Sequence, residues 1–194
     1  MSNLINARFL LGKHPDKKQI ANLLGLEPIE DLPSSDAEVV VILASTKTGV
    51  EQQIASNWHT FREGYVPVLI VVLDFEEGEV DFEDMSAIIG KILEPVVTPY
   101  LVLHAEDGKA VGLINLENLQ ISDYSTESSV ERESDPEHKE LVKEFSEELK
   151  EVLLEGGWEQ FIQGLIIPAI PLNLKNSLGI AEIKRFLNLI PSRS

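Results

Sequence analysis

The segment Gly12–Gln19, with the sequence GKHPDKKQ, carries residue types that can bind a phosphate group. The pattern of a phosphate-binding loop is G-x-x-x-x-G-K-[ST], and its second glycine lets backbone N–H groups approach the phosphates. Its lysine contacts the β- and γ-phosphates, and the hydroxyl of its last residue binds Mg²⁺. Counted from Gly12, Lys17 falls at the second glycine, Lys18 at the lysine and Gln19 at the hydroxyl residue.

Two chemically essential groups are therefore absent from this segment. No glycine precedes the lysine, so the backbone cannot approach phosphates as the pattern requires. Glutamine is a poor substitute for a hydroxyl that must bind Mg²⁺. The segment indicates either that no nucleotide binds or that a nonstandard loop binds it.

The hydrophobic pattern of the first half predicts alternating strands and helices. Strands are predicted at 7–11, 37–45 and 66–74, and the β-branched run at 37–45 indicates a central strand buried on both faces. Helices are predicted from Asp16 to a stop at Gly25, over 50–63 and over 81–93, the last with Ile88 and Ile92 in its apolar stripe. Strand–helix alternation with short links is typical of a parallel sheet.

The pattern changes after Leu93. Residues 98–122 hold two or three strands around the turn EDGK, which predicts a β-hairpin, and 125–137 is a polar linker. One amphipathic helix is predicted from Pro136 to Gly156, with an inward stripe of Leu141, Phe145, Leu149 and Val152. An apolar segment at 161–172 and a helix at 178–190 follow. The predicted fold is α/β, a mainly parallel sheet flanked by helices in three layers, with a small α+β insert.

Composition excludes several classes of function. The 194 residues carry a net charge of −17, which repels nucleic-acid backbones and anionic membranes, so we expect neither as a partner. No apolar run reaches the roughly 18 residues that span a bilayer, and no basic stretch opens a secretory signal. With zero cysteines, disulfides and thiolate sites are excluded. We expect a cytoplasmic location.

A resemblance to a known family emerges from the segment 38–82. It resembles the G domain of elongation factor G in the order and spacing of several features, which here are Gly49-Val50, Gln53, Trp58, Val66-Pro67 and Asp81-Phe82. The segment 174–192 is similar to the family segment that closes this domain, and the middle resembles its G-prime insert. The resemblance covers about 150 residues, from Ala37 to the end, and implies a degenerate G-domain-like core at 1–94 and 166–194 around a G-prime-like insert at 95–165.

The resemblance also implies where nucleotide motifs should lie. Aligned on the helix IANLL, the register shifts by one, so that Lys17 takes the lysine place and Lys18 the hydroxyl place. Only 31 residues separate Lys18 from Val50, too few for the two switch segments that hold Mg²⁺ and water. The base-reading N-K-x-D aligns with LDFE, which puts Glu76 on its aspartate. The family's S-A-[LK] motif aligns near residues 170–173, whose sequence IPLN does not match it.

These residues give the candidate site and its alternatives. The candidate cofactor-binding positions are Gly12, Lys17, Lys18 and Glu76, with no catalytic or metal-binding residue assigned. The acidic run 74–84 lacks EF-hand spacing, so a solvated helix start is favoured over a Ca²⁺ site. A lysine ammonium could fill the emptied phosphate site and pair with a carboxylate such as Asp74. No cofactor is expected, with GTP and Mg²⁺ as the alternative.

The preferred hypothesis is a pseudo-GTPase, a non-hydrolysing module that binds a protein partner of unknown identity, with a link to translation implied by the resemblance. One alternative is a GTP-binding protein or GTPase with a nonstandard phosphate loop. Another is a scaffold module unrelated to ribosomes. The segment 123–159 has thirteen acidic against four basic residues, which fits either a solvated face or a docking surface for a basic partner.

Overall fold

A computed structural model describes residues 7–126 and 129–192 of the chain. Its first half alternates strands and short helices. These elements are β1 (Arg8–Leu11), α1 (Lys17–Leu24), β2 (Glu27–Pro28), β3 (Val39–Ser45), α2 (Gln52–Arg62), β4 (Val68–Leu73) and α3 (Phe82–Ile92). The second half begins with four strands and then becomes mainly helical. Its elements are β5 (Tyr100–His104), β6 (Ala110–Asn115), β7 (Gln120–Asp123), β8 (Val130–Glu133), α4 (Pro136–Leu141), α5 (Lys143–Leu153), α6 (Glu159–Ile162), β9 (Ala169–Pro171) and α7 (Ile180–Leu189).

Five strands form a parallel sheet in the order β2-β1-β3-β4-β9. Every residue of β3 and of β4 is buried, because helices cover both faces of a parallel sheet and a continuous apolar run can then pack on both sides. Large side chains of α3, α6 and α7 are fully buried in the same core, among them Phe82, Phe161 and Phe186. The predicted α/β fold with helices around a mainly parallel sheet is confirmed.

A separate antiparallel sheet has the order β5-β6-β7-β8. The predicted hairpin around EDGK joins β5 to β6, and Ala105 and Lys109 are hydrogen-bonded across its turn. The prediction of a polar linker at 125–137 is wrong in part, since β8 pairs with β7 there, while 127–128 lie outside the described residues. All four residues of β8 are exposed, so this edge strand carries no apolar alternation by which to recognise it.

The single amphipathic helix predicted after the linker is two helices. The helix is interrupted at Val142, between α4 and α5. Most of the apolar stripe predicted to face inward is exposed to solvent: Leu141 is 69% exposed, Phe145 44% and Val152 40%. The buried side of α5 contains Leu149 and also Ser146, whose hydroxyl donates a 2.7 Å hydrogen bond to the carbonyl oxygen of Leu116. This bond lets a polar residue replace an apolar one in the interface. Ile88 and Ile92, predicted inward on α3, are likewise exposed.

Polar contacts, one of them buried, attach the second sheet to α7. The hydroxyl of Tyr124 donates to Oε2 of Glu182 at 2.7 Å, and Arg185 donates to the hydroxyl of Tyr100 and to Glu117 at 2.7 and 2.8 Å. Burial raises the pKa of both tyrosines, which keeps them neutral and able to donate or accept hydrogen bonds. The antiparallel sheet and α4–α6 all lie within 95–165, the range predicted for the insert.

Gly179, which precedes α7, is required by its surroundings. Its φ is +94°, and a Cβ there would overlap the carbonyl oxygen of Pro171 in β9. We expect Gly179→Ala to lower the free energy of unfolding by roughly 3 kcal/mol or more, since both backbone strain and overlap must be relieved.

Urea denaturation followed by circular dichroism measures this loss. Gly108→Ala is the matched control, because Gly108 also has a positive φ of +83° but has open space where the Cβ would lie. This control should cost only about 1 kcal/mol. Equal losses in the two variants would contradict the packing argument.

Candidate functional site

The carboxyl ends of β1, β3, β4 and β9 lie at one edge of the parallel sheet, which we call the carboxyl edge. Along the chain, β1 is followed by β2 on one side and then by β3 on the other, so the strand order reverses between β1 and β3. Open α/β sheets bind ligands at such a reversal, outside the carboxyl ends of the strands. The loops that follow these strands therefore form the candidate functional site.

Gly12, the first residue after β1, is explained by close packing. It has a φ of +110°, and a Cβ would lie 2.8 Å from the carbonyl oxygen of Leu43 in β3. Any larger residue would push the first loop away from the neighbouring strand. The glycine at the start of the candidate phosphate loop thus has a structural role that needs no ligand.

The two lysines of the candidate phosphate loop point to different places. The Lys17 ammonium donates to the carbonyl oxygen of Ile29 at 2.6 Å and pairs with Glu30 at 3.1 Å, and its side chain is only 12% exposed. It thereby connects α1 to the segment after β2. Its carboxylate partner is therefore Glu30. The sequence suggests Asp74 as an example of such a partner. Lys18 is exposed on the first turn of α1.

Asp74 lies at the centre of a polar cluster at the carboxyl edge. It directly follows β4, and its φ of +63° is unusual for a residue with a side chain. The Ser45 hydroxyl donates to Oδ2 of Asp74, and Nε2 of His14 lies 3.3 Å from the same oxygen. The Thr46 hydroxyl donates to the backbone carbonyl of Asp74 at 2.8 Å. The loop after β1 and the end of β3 with its following loop therefore converge on this one aspartate after β4.

The protonation pattern of His14 follows from its neighbours. The backbone N–H of Asp16 donates to Nδ1 of His14 at 3.1 Å, so the neutral ring carries its proton on Nε2, which faces Asp74. Ser45 is bonded to the carboxylate and not to the imidazole, and it accepts a 3.1 Å bond from the backbone N–H of Lys47. This arrangement differs from a catalytic triad, in which the histidine must contact the serine.

Glu77 connects two further loops at the same edge. Its carboxylate binds Lys47, from the loop after β3, and Lys175, from the loop after β9, the latter at 2.6 Å. The two ammonium groups lower the pKa of Glu77 to about 2, and Glu77 in turn raises the pKa of both lysines. The loops after β3, β4 and β9 are thus joined by charge pairs in solvent.

Glu76, the residue aligned with a base-reading aspartate, is directed at the second sheet. Its Oε1 accepts a 2.6 Å hydrogen bond from the backbone N–H of Ala110, the first residue of β6. The carboxylate that would contact a base is therefore engaged by the chain itself. In consequence Glu76 ties the loop after β4 to the antiparallel sheet.

The free space at the carboxyl edge is unevenly distributed. A wide groove of about 1000 Å³ lies between the loop after β1 and the start of α2, with His14, Thr48 and Gln52 among its lining residues. Lys13 and Glu51, also in its lining, form an ion pair at 3.2 Å. On the other side, where Asp74 and Lys175 lie, the space is only about 110 Å³. The cluster of side chains fills that half of the edge.

The structure brings some predicted positions together and separates others. Gly12 and Lys17 lie beside the wide groove or in its lining, whereas Glu76 belongs to the small space and Lys18 to the surface. Sequence reasoning missed His14, Ser45 and Lys175 as parts of one cluster. The signal was available, since each lies at or a few residues after the end of a parallel strand.

Within residues 7–126 and 129–192, no group of three or more His, Asp or Glu side chains has a geometry able to hold a metal ion. Over the same residues, no helix has both the length and the apolar character needed to cross a membrane.

Comparison with known proteins gives a structural likeness. No protein-family model matches the chain, and no curated protein matches its sequence. Among solved structures, a crystal structure of a protein from Thermus thermophilus superposes with a TM-score of 0.67 at 23% sequence identity. The match covers 81% of this chain but only 27% of the Thermus protein. At this identity the likeness shows the fold alone.

Glu77→Gln tests the charge pairs at the carboxyl edge. Because the pKa of Glu77 is lowered from its ordinary 4.5 to about 2, its ionised form stabilises the folded protein above pH 4.5. That contribution is lost as the pH falls towards 2. We expect the variant to be slightly less stable than wild type at pH 7, with the two proteins converging near pH 2.

Urea denaturation at stepped pH measures the difference, which will be small because the groups are exposed. Glu79→Gln, at an exposed position of the same loop, is the matched control and should not produce this pH-dependent gap. A difference between wild type and Glu77→Gln that stays constant from pH 7 to 2 would refute the assignment.

Proposed function

We propose that the chain is a pseudo-GTPase similar to the elongation factor G domain, a non-hydrolysing cytoplasmic module that binds another protein. One observation supports this most directly. The Lys17 ammonium, at a phosphate-loop position, is bonded to the carbonyl oxygen of Ile29 and to Glu30 of the same chain. A lysine used in this way is unavailable to a phosphate unless the contact between α1 and the segment after β2 opens.

The charges at the carboxyl edge support the same proposal. Asp74, Glu76 and Glu77 follow β4 in close succession and would repel a triphosphate. Lys47 and Lys175 partly neutralise them, but Lys47 is already oriented toward Asp74 and Lys175 is already bonded to Glu77. A nucleotide with the expected Mg²⁺ would have to displace these contacts without gaining a hydroxyl ligand from the loop.

The protein-binding half of the proposal rests on exposed apolar side chains. Leu141, Phe145 and Val152 project from α4 and α5, in a segment where acidic residues outnumber basic ones. Isolated surface leucines are ordinary, but an apolar stripe along one helix face is typical of a protein interface. Such a surface suits a partner that brings both apolar contacts and positive charge.

GTP binding through a nonstandard loop is the second candidate. The wide groove beside His14 and the start of α1, which carries a partial positive charge, favour it. A scaffold role unconnected with ribosomes is the third. The link to translation rests on the resemblance alone. A pull-down on the immobilised chain separates the first candidate from the third. The first predicts that ribosomal proteins are enriched relative to a pull-down on an unrelated acidic protein of similar charge.

Lys17→Met and Lys18→Met distinguish the first two candidates. If Lys17 serves the fold, its loss should lower the free energy of unfolding by about 1–2 kcal/mol, because a bond from a charged donor to Ile29 is removed. Lys18→Met should change stability by less than about 0.5 kcal/mol. Isothermal titration of wild type with GTP, GDP and ATP in Mg²⁺ should show no binding tighter than about 1 mM.

Tight binding of a nucleotide that depends on these lysines would establish a nucleotide site. Submicromolar binding of GTP to wild type, weakened in Lys17→Met or Lys18→Met, would overturn the proposal. Thermal unfolding gives an independent readout, since a ligand that binds only the folded state stabilises it by RT ln(1 + [L]/Kd) and so raises the midpoint. Under our proposal, millimolar GTP leaves the midpoints of all three proteins unchanged.

A further inference from the structure

A groove of about 350 Å³ runs between α3 and α5, away from the carboxyl edge. We call it the α3–α5 groove. Its lining includes the small residues Ala87 and Gly90 of α3 and the apolar Leu101 of β5. Phe145 and Glu148 of α5 line its opposite side. The groove therefore lies between α3, which packs on the parallel sheet, and α5, which packs on the antiparallel sheet.

Gly90 gives the groove part of its depth, although the fold does not require a glycine there. The nearest atom to an added Cβ would be Cα of Pro95 at 3.6 Å, an ordinary contact distance. A glycine inside a helix is less favourable than alanine by about 1 kcal/mol. Neither backbone geometry nor packing explains this glycine. Its missing side chain leaves free space in the groove.

The Phe145 ring supplies an apolar contact at the side of this space. It is 44% exposed although α5 buries neighbouring residues, and Leu141 and Val152 extend the apolar stripe above and below it along the α4–α5 segment. A bulky side chain inserted into the α3–α5 groove would cover Phe145 and fill the gap over Gly90. Burial of this kind is the main favourable contribution to association.

The charges around the groove select the occupant. Glu83 and Glu148 line it, and α5 carries further exposed carboxylates at Glu144, Glu147 and Glu151. Glu83 is held in place by the backbone N–H of Val102, which donates to its Oε1 at 3.3 Å. A second copy of this chain, with a net charge of −17, or an anionic membrane would bring like charges together.

We propose that the α3–α5 groove binds a lysine- or arginine-rich amphipathic helix of a protein partner. One bulky apolar side chain of that helix occupies the space beside Gly90 and Phe145, and its basic residues pair with Glu83 and Glu148. This inference rests on the proposed protein-binding function and gives its surface and the chemistry of the partner. Helices that lie in grooves commonly use such spaced apolar anchors.

A designed peptide tests the proposal. The probe is a fluorescein-labelled peptide of lysine and leucine, roughly 18 residues or about five helical turns, with leucines on one face. Fluorescence anisotropy with the full chain gives its Kd. A scrambled peptide of identical composition is the first control, and it should bind at least 10-fold more weakly because it cannot present one apolar face.

Paired variants locate the binding surface. Phe145→Ser should weaken binding of the amphipathic peptide about 10-fold, while Tyr65→Ser, at an aromatic residue that is 62% exposed elsewhere, should not. Glu148→Lys should weaken it similarly, whereas Glu79→Lys makes the same change in net charge outside the groove and should have less than a twofold effect. Gly90→Leu, which fills the groove while leaving Phe145 in place, should also weaken binding.

Several results would overturn the inference. Equal effects of Glu148→Lys and Glu79→Lys would show attraction to net charge alone, and equal binding of the scrambled peptide would show no helix recognition. A dimer in sedimentation that Phe145→Ser abolishes would assign the groove to self-association. Circular dichroism confirms that each variant is folded. Because nucleotide titration is a separate measurement, GTP binding would refute the proposed function and leave the peptide result standing.

Discussion

The complete burial of β3 and β4 is the constraint on which the rest of the structure depends. Their side chains contact helices on both faces, so neither strand can carry a charged residue along its length. Polar chemistry is consequently confined to the residues that end or follow these strands, such as Ser45 and Asp74. Because parallel strands end at the same edge, their polar side chains meet there, and the chain satisfies them mainly with one another.

The strongest features of the fold were predictable because they depend on local apolar patterning. The runs at 37–45 and 66–74, the stop of α1 at Gly25 and the EDGK hairpin all follow from that pattern. What failed depends on information that a local pattern lacks. The edge strand β8 is charged and exposed. The buried side of the α4–α5 segment consists of Val142, Ser146 and Leu149, so most of the predicted apolar stripe faces solvent. The pairing of Lys17 with Glu30 could not be predicted, since chain folding alone brings α1 beside the segment after β2.

The candidate site shows the same division between position and role. Sequence alignment to a phosphate loop gave Gly12 and Lys17 as candidate cofactor-binding positions, and in the structure Gly12 follows β1 directly while Lys17 lines the wide groove. Their contacts differ from those of a phosphate loop, because Gly12 permits close packing on Leu43 and Lys17 bonds to Ile29. The residues that carry the resemblance to elongation factor G lie in and just before α2, before β4 and at the start of α3, whereas the nucleotide motifs depart.

The position of Glu76 connects the carboxyl edge to the antiparallel sheet. Its bond to the N–H of Ala110 joins the loop after β4 to β6, while Tyr124 joins the same antiparallel sheet to Glu182 of α7. The second sheet is thus fastened to the rest of the molecule by Glu76 and Tyr124, together with the bonds from Arg185 to Tyr100 and Glu117. Because Asp74 lies in the same loop as Glu76, the position of the second sheet and the geometry of the polar cluster are coupled through residues 74–76.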